Sequence, residues 1–307
     1  MRKLVYLLAA VVTVMVSCGP SYEEQQKQTR LQRRQKMRED SAALKVAVVP
    51  TIDCLPLLVA SHDGLFQQSG ADVRLKLFTA QMDCDTAIAG GSVEGCVTDL
   101  VRAERLIQKG TPLRYVTTTA AYWQLYSNRM ARIRNLQQLD DRMVGMTRFS
   151  ATDLIADRLR DSAKIDRERY FKIQLNDVHV RLKMLLNQEI DAVLLAEPQA
   201  TEARLAGHRL LADSRQFAPW LGVIAFREKD MQDSTRQRQI EAFKRGYNMA
   251  CDSIKHYGLN HYRELLVKYF KMKDNHVDSL PSPLPFQHIA EPQEADIEKA
   301  RNWLKQQ

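Results

Sequence analysis

The 307-residue sequence has no apolar run long enough to cross a bilayer. Its longest, residues 4–16, has 13 residues, whereas a spanning helix needs about 20. Also missing are a nucleophile elbow, a P-loop, an H-E-x-x-H pair and a glycine-rich dinucleotide fingerprint, so the common enzyme signatures are absent. Five cysteines and seven histidines are scattered without C-x-x-C or paired-histidine spacing, which argues against a zinc-finger array, a metal site or a disulfide-dense miniprotein. What remains is an ordinary globular composition, 45% hydrophobic and 27% charged. Wholesale disorder and collagen-like repeats are thereby excluded, and the length allows about two domains.

The N-terminus combines Arg2 and Lys3, the apolar run and the small residues Ser17-Cys18-Gly19. That order predicts a secretory signal peptide. Met15-Val16-Ser17-Cys18 resembles a bacterial lipobox, with Met15 where leucine is usual. The resemblance implies a signal peptide over residues 1–18, lipid attachment at Cys18, and a chain held at a membrane in the cell envelope. Residues 19–43 are rich in glutamine and charge and nearly devoid of large apolar side chains, so they read as a flexible tether. The formal net charge of +8 then divides: +2 sits in the signal, +2 in the tether and +4 in the remainder. A mildly basic body gives no support to nucleic-acid binding.

From residue 44 onward, short apolar strands alternate with amphipathic helices. Strands are predicted at 45–49, 73–78, 95–98 and 113–118, then at 123–128, 143–146, 171–175, 192–195 and 221–226. Helices are predicted at 55–62, 101–109, 152–163, 178–187, 238–257, 262–270 and 294–305. Such spacing indicates βαβ units and a mainly parallel sheet.

Residues 48–60 (VVPTIDCLPLLVA), with Asp63-Gly64-Leu65-Phe66 and Gly70-Ala71-Asp72-Val73 after them, resemble the opening of a known family. These are substrate-binding proteins of bacterial ABC importers, in the nitrate, taurine/sulfonate and thiamine-precursor class. Residues 87–95 and the segment Ile190-Asp191-Ala192 leading to Glu197-Pro198 are similar to later motifs of that family, with Gln188 where glycine is usual. The resemblance implies an α/β, type II periplasmic-binding-protein fold: two lobes joined by two crossing strands, with a ligand cleft between them. Lobe 1 would comprise 44–121 and 227–307, lobe 2 residues 122–226, and the C-terminal helices would pack on lobe 1. The implied function is capture of a small molecule by hinge closure and delivery to an ABC permease, by a monomer needing no cofactor. Two alternatives stay open: an enzyme of thiamine-precursor or menaquinone synthesis type on the same fold, and a sensory or scaffold lipoprotein that has lost transport.

In open α/β sheets ligands bind beyond the carboxyl ends of the strands. That rule selects Thr51, Ile52, Asp53 and Cys54 after the first strand, Gln81, Met82 and Asp83 after the second, and Thr98 and Asp99 after the third. In the second half Ser150, Ala151 and Thr152 open a helix, either as ligand donors or as plain capping residues. Tyr122, Trp123 and Trp220 lie near the crossings, placed to stack on a flat ring or to pack the hinge. Asp53, Asp83, Asp85, Asp99 and Glu197 make the expected cleft acidic, with no Arg or Lys interleaved in the first-lobe set. This favours an amine-bearing or neutral heteroaromatic ligand over an oxyanion. Arg148 is placed either to meet a ligand carboxylate or to pair with Glu197. Cys54 and Cys84 follow strand ends of the same lobe, so a disulfide between them is an open possibility.

Overall fold

The structure, a computed structural model, describes residues 22–217 and 220–307, without the side chains of residues 36–38. Residues 1–18, read above as a signal peptide ending at Cys18, lie outside the described residues. The chain divides into two units, Met1–Ala43 and Leu44–Gln307. In the first, helix α1 (Tyr22–Ala42) is continuous over 21 residues, where the composition had suggested a flexible tether. Its described side chains bury no apolar face, which is the part of that expectation the helix keeps.

The second unit holds two five-stranded sheets, and the path between them follows chain order. Lobe 1 opens with β1 (Leu44–Val48), α2 (Leu55–His62), α3 (Leu65–Gln68), β2 (Val73–Leu77), α4 (Gln81–Ala89) and β3 (Gly95–Asp99). It continues through α5 (Leu100–Gln108) to β4 (Leu113–Thr118). The chain then crosses to lobe 2, built from β5 (Gln124–Ser127), β6 (Arg142–Met146), α6 (Ala151–Ala163), β7 (Tyr170–Gln174), α7 (Val178–Leu186), β8 (Ala192–Leu195), α8 (Gln199–Leu205) and β9 (Arg209–Asp213). It returns as β10 (Gly222–Arg227), followed by α9 (Glu228–Gln232), α10 (Ser234–Tyr257), α11 (Arg263–Phe270) and α12 (Glu294–Leu304).

The sheets run β2-β1-β3-β10-β4 and β7-β6-β8-β5-β9. Each is mixed, because the first strand after each crossing, β5 or β10, runs antiparallel to both neighbours. Local alternation identifies a strand without giving its direction, hence the expectation of mainly parallel sheets. The pairing of β10 with β3 and β4 also corrects the boundary at 226. Residues 222–226 belong to the sheet of lobe 1, so the second crossing ends before Gly222.

Side-chain caps start the helices that frame the cleft: Asp99 for α5, Ser150 for α6 and Asp177 for α7 each accept a first-turn N–H. The lobe 1 core gathers Val46, Val48, Ile88, Val97, Ile224 and Phe226, and the C-terminal helices add Phe243 and Leu266. Phe66 stacks on Phe243 with ring centroids 5.4 Å apart. Gly246 permits that packing, since a Cβ there would stand 2.7 Å from Phe66 Cδ1.

The last helix departs from expectation. Ile297 and Ala300 of α12 are buried among Leu100 and Val101 of α5 and Leu154 and Leu159 of α6, so α12 touches both lobes rather than lobe 1 alone. Arg301 Nε donates to Glu104 Oε2 at 2.9 Å, while Trp303 Nε1 donates to Asp157 Oδ2 at 3.1 Å.

Candidate functional site

Between the lobes lies a cavity of about 40 Å³, lined from both sides. Thr51 and Asp53 follow β1, Gln81 follows β2, and Thr98 and Asp99 end β3. Facing them, Thr147, Ser150 and Thr152 follow β6, Val178 follows β7, Ala196 follows β8, and Arg181 stands one turn into α7. Ala121 and Trp123 of the first crossing close the wall. The volume holds at most a few water molecules, so this is the closed arrangement of the lobes.

Direct bonds across the cleft keep it closed. The Ile52 N–H donates to the Glu197 carbonyl at 2.8 Å, and Gln199 Nε2 to the Pro50 carbonyl at 2.9 Å. The Ala151 N–H donates to Asp99 Oδ1 at 2.9 Å. At the rim Ala80 and Asp177 form an antiparallel bridge, and Gln174 Nε2 meets Met82 Sδ at 3.5 Å. Farther out, His276 Nδ1 lies 2.8 Å from Glu202 Oε2.

Burial dominates the electrostatics. Desolvation raises the Asp53 carboxyl above its ordinary value, against hydrogen bonds from Thr51 and Thr119 that pull it down; Thr119 Oγ1 donates at 3.1 Å. Asp99 is pushed up to about 7, first by desolvation, with Arg102 and its backbone N–H opposing. Arg181 is buried and lowered to about 10 by the same cause, and its guanidinium donates to the Leu175 and Leu194 carbonyls and to Thr147 Oγ1. Two buried oxygens of the lining, Gln81 Oε1 and Thr98 Oγ1, have no partner among the described residues.

This geometry agrees with comparisons to known proteins. The profile of the family described as "NMT1/THI5 like" matches residues 51–279, well over half of the sequence. The chain belongs to this family. A search of curated protein sequences gives no match. Among solved structures, the alkanesulfonate-binding protein of Xanthomonas axonopodis pv. citri bound to MOPS superposes with a TM-score of 0.74 at 14% identity, covering 86% of this chain and 92% of that one. The ligand-binding component of an ABC-type import system from Staphylococcus aureus, with zinc bound, gives 0.69 at 17% identity over 86% and 91%. The periplasmic nitrate-binding protein of Synechocystis PCC 6803 gives 0.66 at 15% over 82% and 74%. The two-lobed periplasmic-binding-protein fold is thus shared.

Within this NMT1/THI5-like chain the residues singled out from sequence fall into three groups. Thr51, Asp53, Gln81, Thr98, Asp99, Trp123, Ser150 and Thr152 line the cavity. Ile52, Ala151, Tyr122 and Glu197 adjoin it as structural links. Besides the bonds already given, Tyr122 OH donates to Glu197 Oε1 at 3.3 Å, and the Thr201 N–H donates to Glu197 Oε2 at 3.0 Å. Arg215 stacks over the Tyr122 ring at 4.2 Å, so that face is covered by the protein. Cys54, Met82, Asp83 and Trp220 are not in the lining: Cys54 is in the lobe 1 core, while Met82 and Asp83 are exposed.

Three further expectations are corrected. The first-lobe acidic set does have a basic partner, Arg102, 1% exposed and paired with Asp85, and from lobe 2 Arg181 also lines the cavity. Arg148 is exposed and lies over the Phe149 ring at 5.9 Å, and Glu197 is answered by Tyr122 and Thr201 instead. Cys54, Cys84, Cys96 and Cys251 are all free thiols, so Cys54 and Cys84 form no disulfide here.

Thr147, Val178 and Ala196 were missed, although the same strand-end rule reaches them once it is applied to β6, β7 and β8. Arg181 carried no such signal. It belongs to the interior of a helix, where an arginine ordinarily faces solvent.

Proposed function

We propose that the chain is an extracytoplasmic solute-binding protein that closes its lobes on a small polar ligand bearing hydrogen-bond donors and passes it to an ABC permease. One observation carries this reading: the interlobe cavity, at the carboxyl ends of strands from both sheets, presents the buried carboxyls of Asp53 and Asp99, the Gln81 carbonyl oxygen and the Thr98 hydroxyl, which can donate or accept. A ligand amine matches that set, whereas an oxyanion offers only more acceptors. The alkanesulfonate-, nitrate- and zinc-bearing relatives support solute binding on this fold, and their range of cargo leaves the choice of ligand to the lining residues. The small closed volume favours a compact amine over a heteroaromatic ring. The mechanism needs no covalent step, only opening of the direct interlobe bonds and their re-formation around cargo.

The reading is tested by thermal unfolding against methylamine, ethanolamine, an aminopyrimidine, sulfate and methanesulfonate. An amine at about one hundred times its Kd is expected to add about 2.7 kcal/mol, which at about 2–4 °C per kcal/mol is a shift of roughly 5–10 °C. Stabilisation by no amine, or turnover of one, overturns it.

Lipid anchoring at Cys18 belongs to the same proposal. Expressed in a bacterium that processes lipoproteins, the full chain is expected in the detergent phase of a Triton X-114 partition. A Cys18→Ala variant is expected in the aqueous phase, and equal partition of the two would remove the anchor.

A further inference from the structure

The start of α6 faces lobe 1 with all of its backbone donors engaged. The Thr152 N–H donates to Ser150 Oγ at 3.1 Å, and those of Asp153 and Leu154 to the Ser150 carbonyl at 3.0 and 3.1 Å. The remaining donor, the Ala151 N–H, is met from the opposite lobe by Asp99 Oδ1. A 13-residue helix places partial positive charge at this end, which suits an anion. The anion present is a side chain of the protein itself. Beside it Thr98, 3% exposed, lines the same cavity with its Oγ1 unpartnered among the described residues, so a polar ligand group still has a place there.

We infer that Asp99 is the specificity-determining residue of the cleft: its carboxylate holds the position at the start of α6 that an oxyanion ligand would need, and so excludes oxyanions. The inference deepens the reading of the cleft as a ligand site and rests on it. The same Asp99 oxygen accepts from the Arg102 N–H at 3.0 Å, so it ties the start of α5 to the start of α6 and cannot swing aside without uncapping its own helix. An arriving sulfate would displace a carboxylate from two backbone donors and meet like charge from Asp53. Arg181 offers no ready replacement, because its guanidinium already donates to two carbonyls and to Thr147.

The test is isothermal titration of sodium sulfate into wild type, Asp99→Ser and Asp99→Asn at pH 8, where a carboxyl pushed to about 7 is largely ionised. Serine still supplies a capping oxygen to α5 but is too short to span the lobes, while asparagine keeps the shape and removes the charge. The expected result is no saturable sulfate binding by wild type at millimolar concentration. The Asp99→Ser variant should bind sulfate at least about tenfold more tightly, with Asp99→Asn between them. Sulfate binding by wild type as tight as by Asp99→Ser overturns the inference, as does a folded Asp99→Ser that gains none. Should Asp99→Ser fail to unfold cooperatively, Asp99→Asn decides, and wild-type sulfate affinity in that variant overturns the inference. The amine panel on wild type reports separately on whether the cleft is a ligand site at all.

Discussion

Replacing Arg102 by Met is expected to lower the unfolding free energy by about 3 kcal/mol, the low end of the range of about 3–5 kcal/mol for breaking a buried ion pair. Arg102 is 1% exposed and sends Nε to Asp85 Oδ1 at 3.2 Å and Nη2 to Asp85 Oδ2. Burial raises the Asp85 carboxyl above its ordinary value, and Arg102 is the largest influence pulling it back. Without the guanidinium the carboxylate must stay charged in a poor solvent or take up a proton. The low end applies because 17% of the Asp85 side chain remains exposed and solvent supplies part of the lost interaction. Urea unfolding at neutral pH measures the loss, and the double change Arg102→Met with Asp85→Leu is expected to recover most of it. A loss below about 1 kcal/mol would place the pair in the class of surface bridges.

The pH dependence of stability should be changed most by Asp99→Asn. Its carboxyl is pushed up to about 7 in the fold, chiefly by burial, from an ordinary value of 3.8. With the folded-state value raised, its favourable share of stability is fully present below about pH 4 and is lost as pH rises towards 7. Above 7 both states are ionised and the difference stops growing. At 1.36 kcal/mol per unit the whole effect is at most about 4 kcal/mol. Asparagine cannot ionise, so the variant should gain on wild type between pH 4 and pH 8, reaching its largest relative stability at the upper end. Asp53, Asp85 and Glu197 are shifted in the same direction by burial, so only the difference between the two proteins isolates Asp99. Urea midpoints at pH 4, 5.5 and 8 give that difference, and one that stays constant with pH would refute the assignment.

Much of this architecture is legible in residues 44–307 because strand and helix periods are local. The direction of a strand is not local. Residues 221–226 read correctly as a strand, but nothing in their alternation says that β10 inserts between β3 and β4. The strand β9, with exposed Arg209 and Leu210, has too little apolar alternation to announce itself. Site residues follow the same division. Strand ends point at the cleft by topology, so Thr51, Thr98 and Asp99 were reachable by rule. After β2 the chain enters α4 directly, and a helix turns each successive side chain by about 100°. Gln81 therefore lines the cavity while Met82 and Asp83 face away from it. The role of Asp99 as a partner of Ala151 depends on two residues 52 positions apart meeting across lobes, and no spacing rule encodes that.

The bridging position of α12 has an optical consequence. Trp303 is an indole held against Asp157 of α6, while two turns earlier the same helix is buried against Leu100 and Val101 of α5. If the lobes part with α12 held to α5, this indole would exchange its carboxylate neighbour for water. Read with Trp123 and Trp220 changed to Phe, its emission would then report cleft motion without any attached dye.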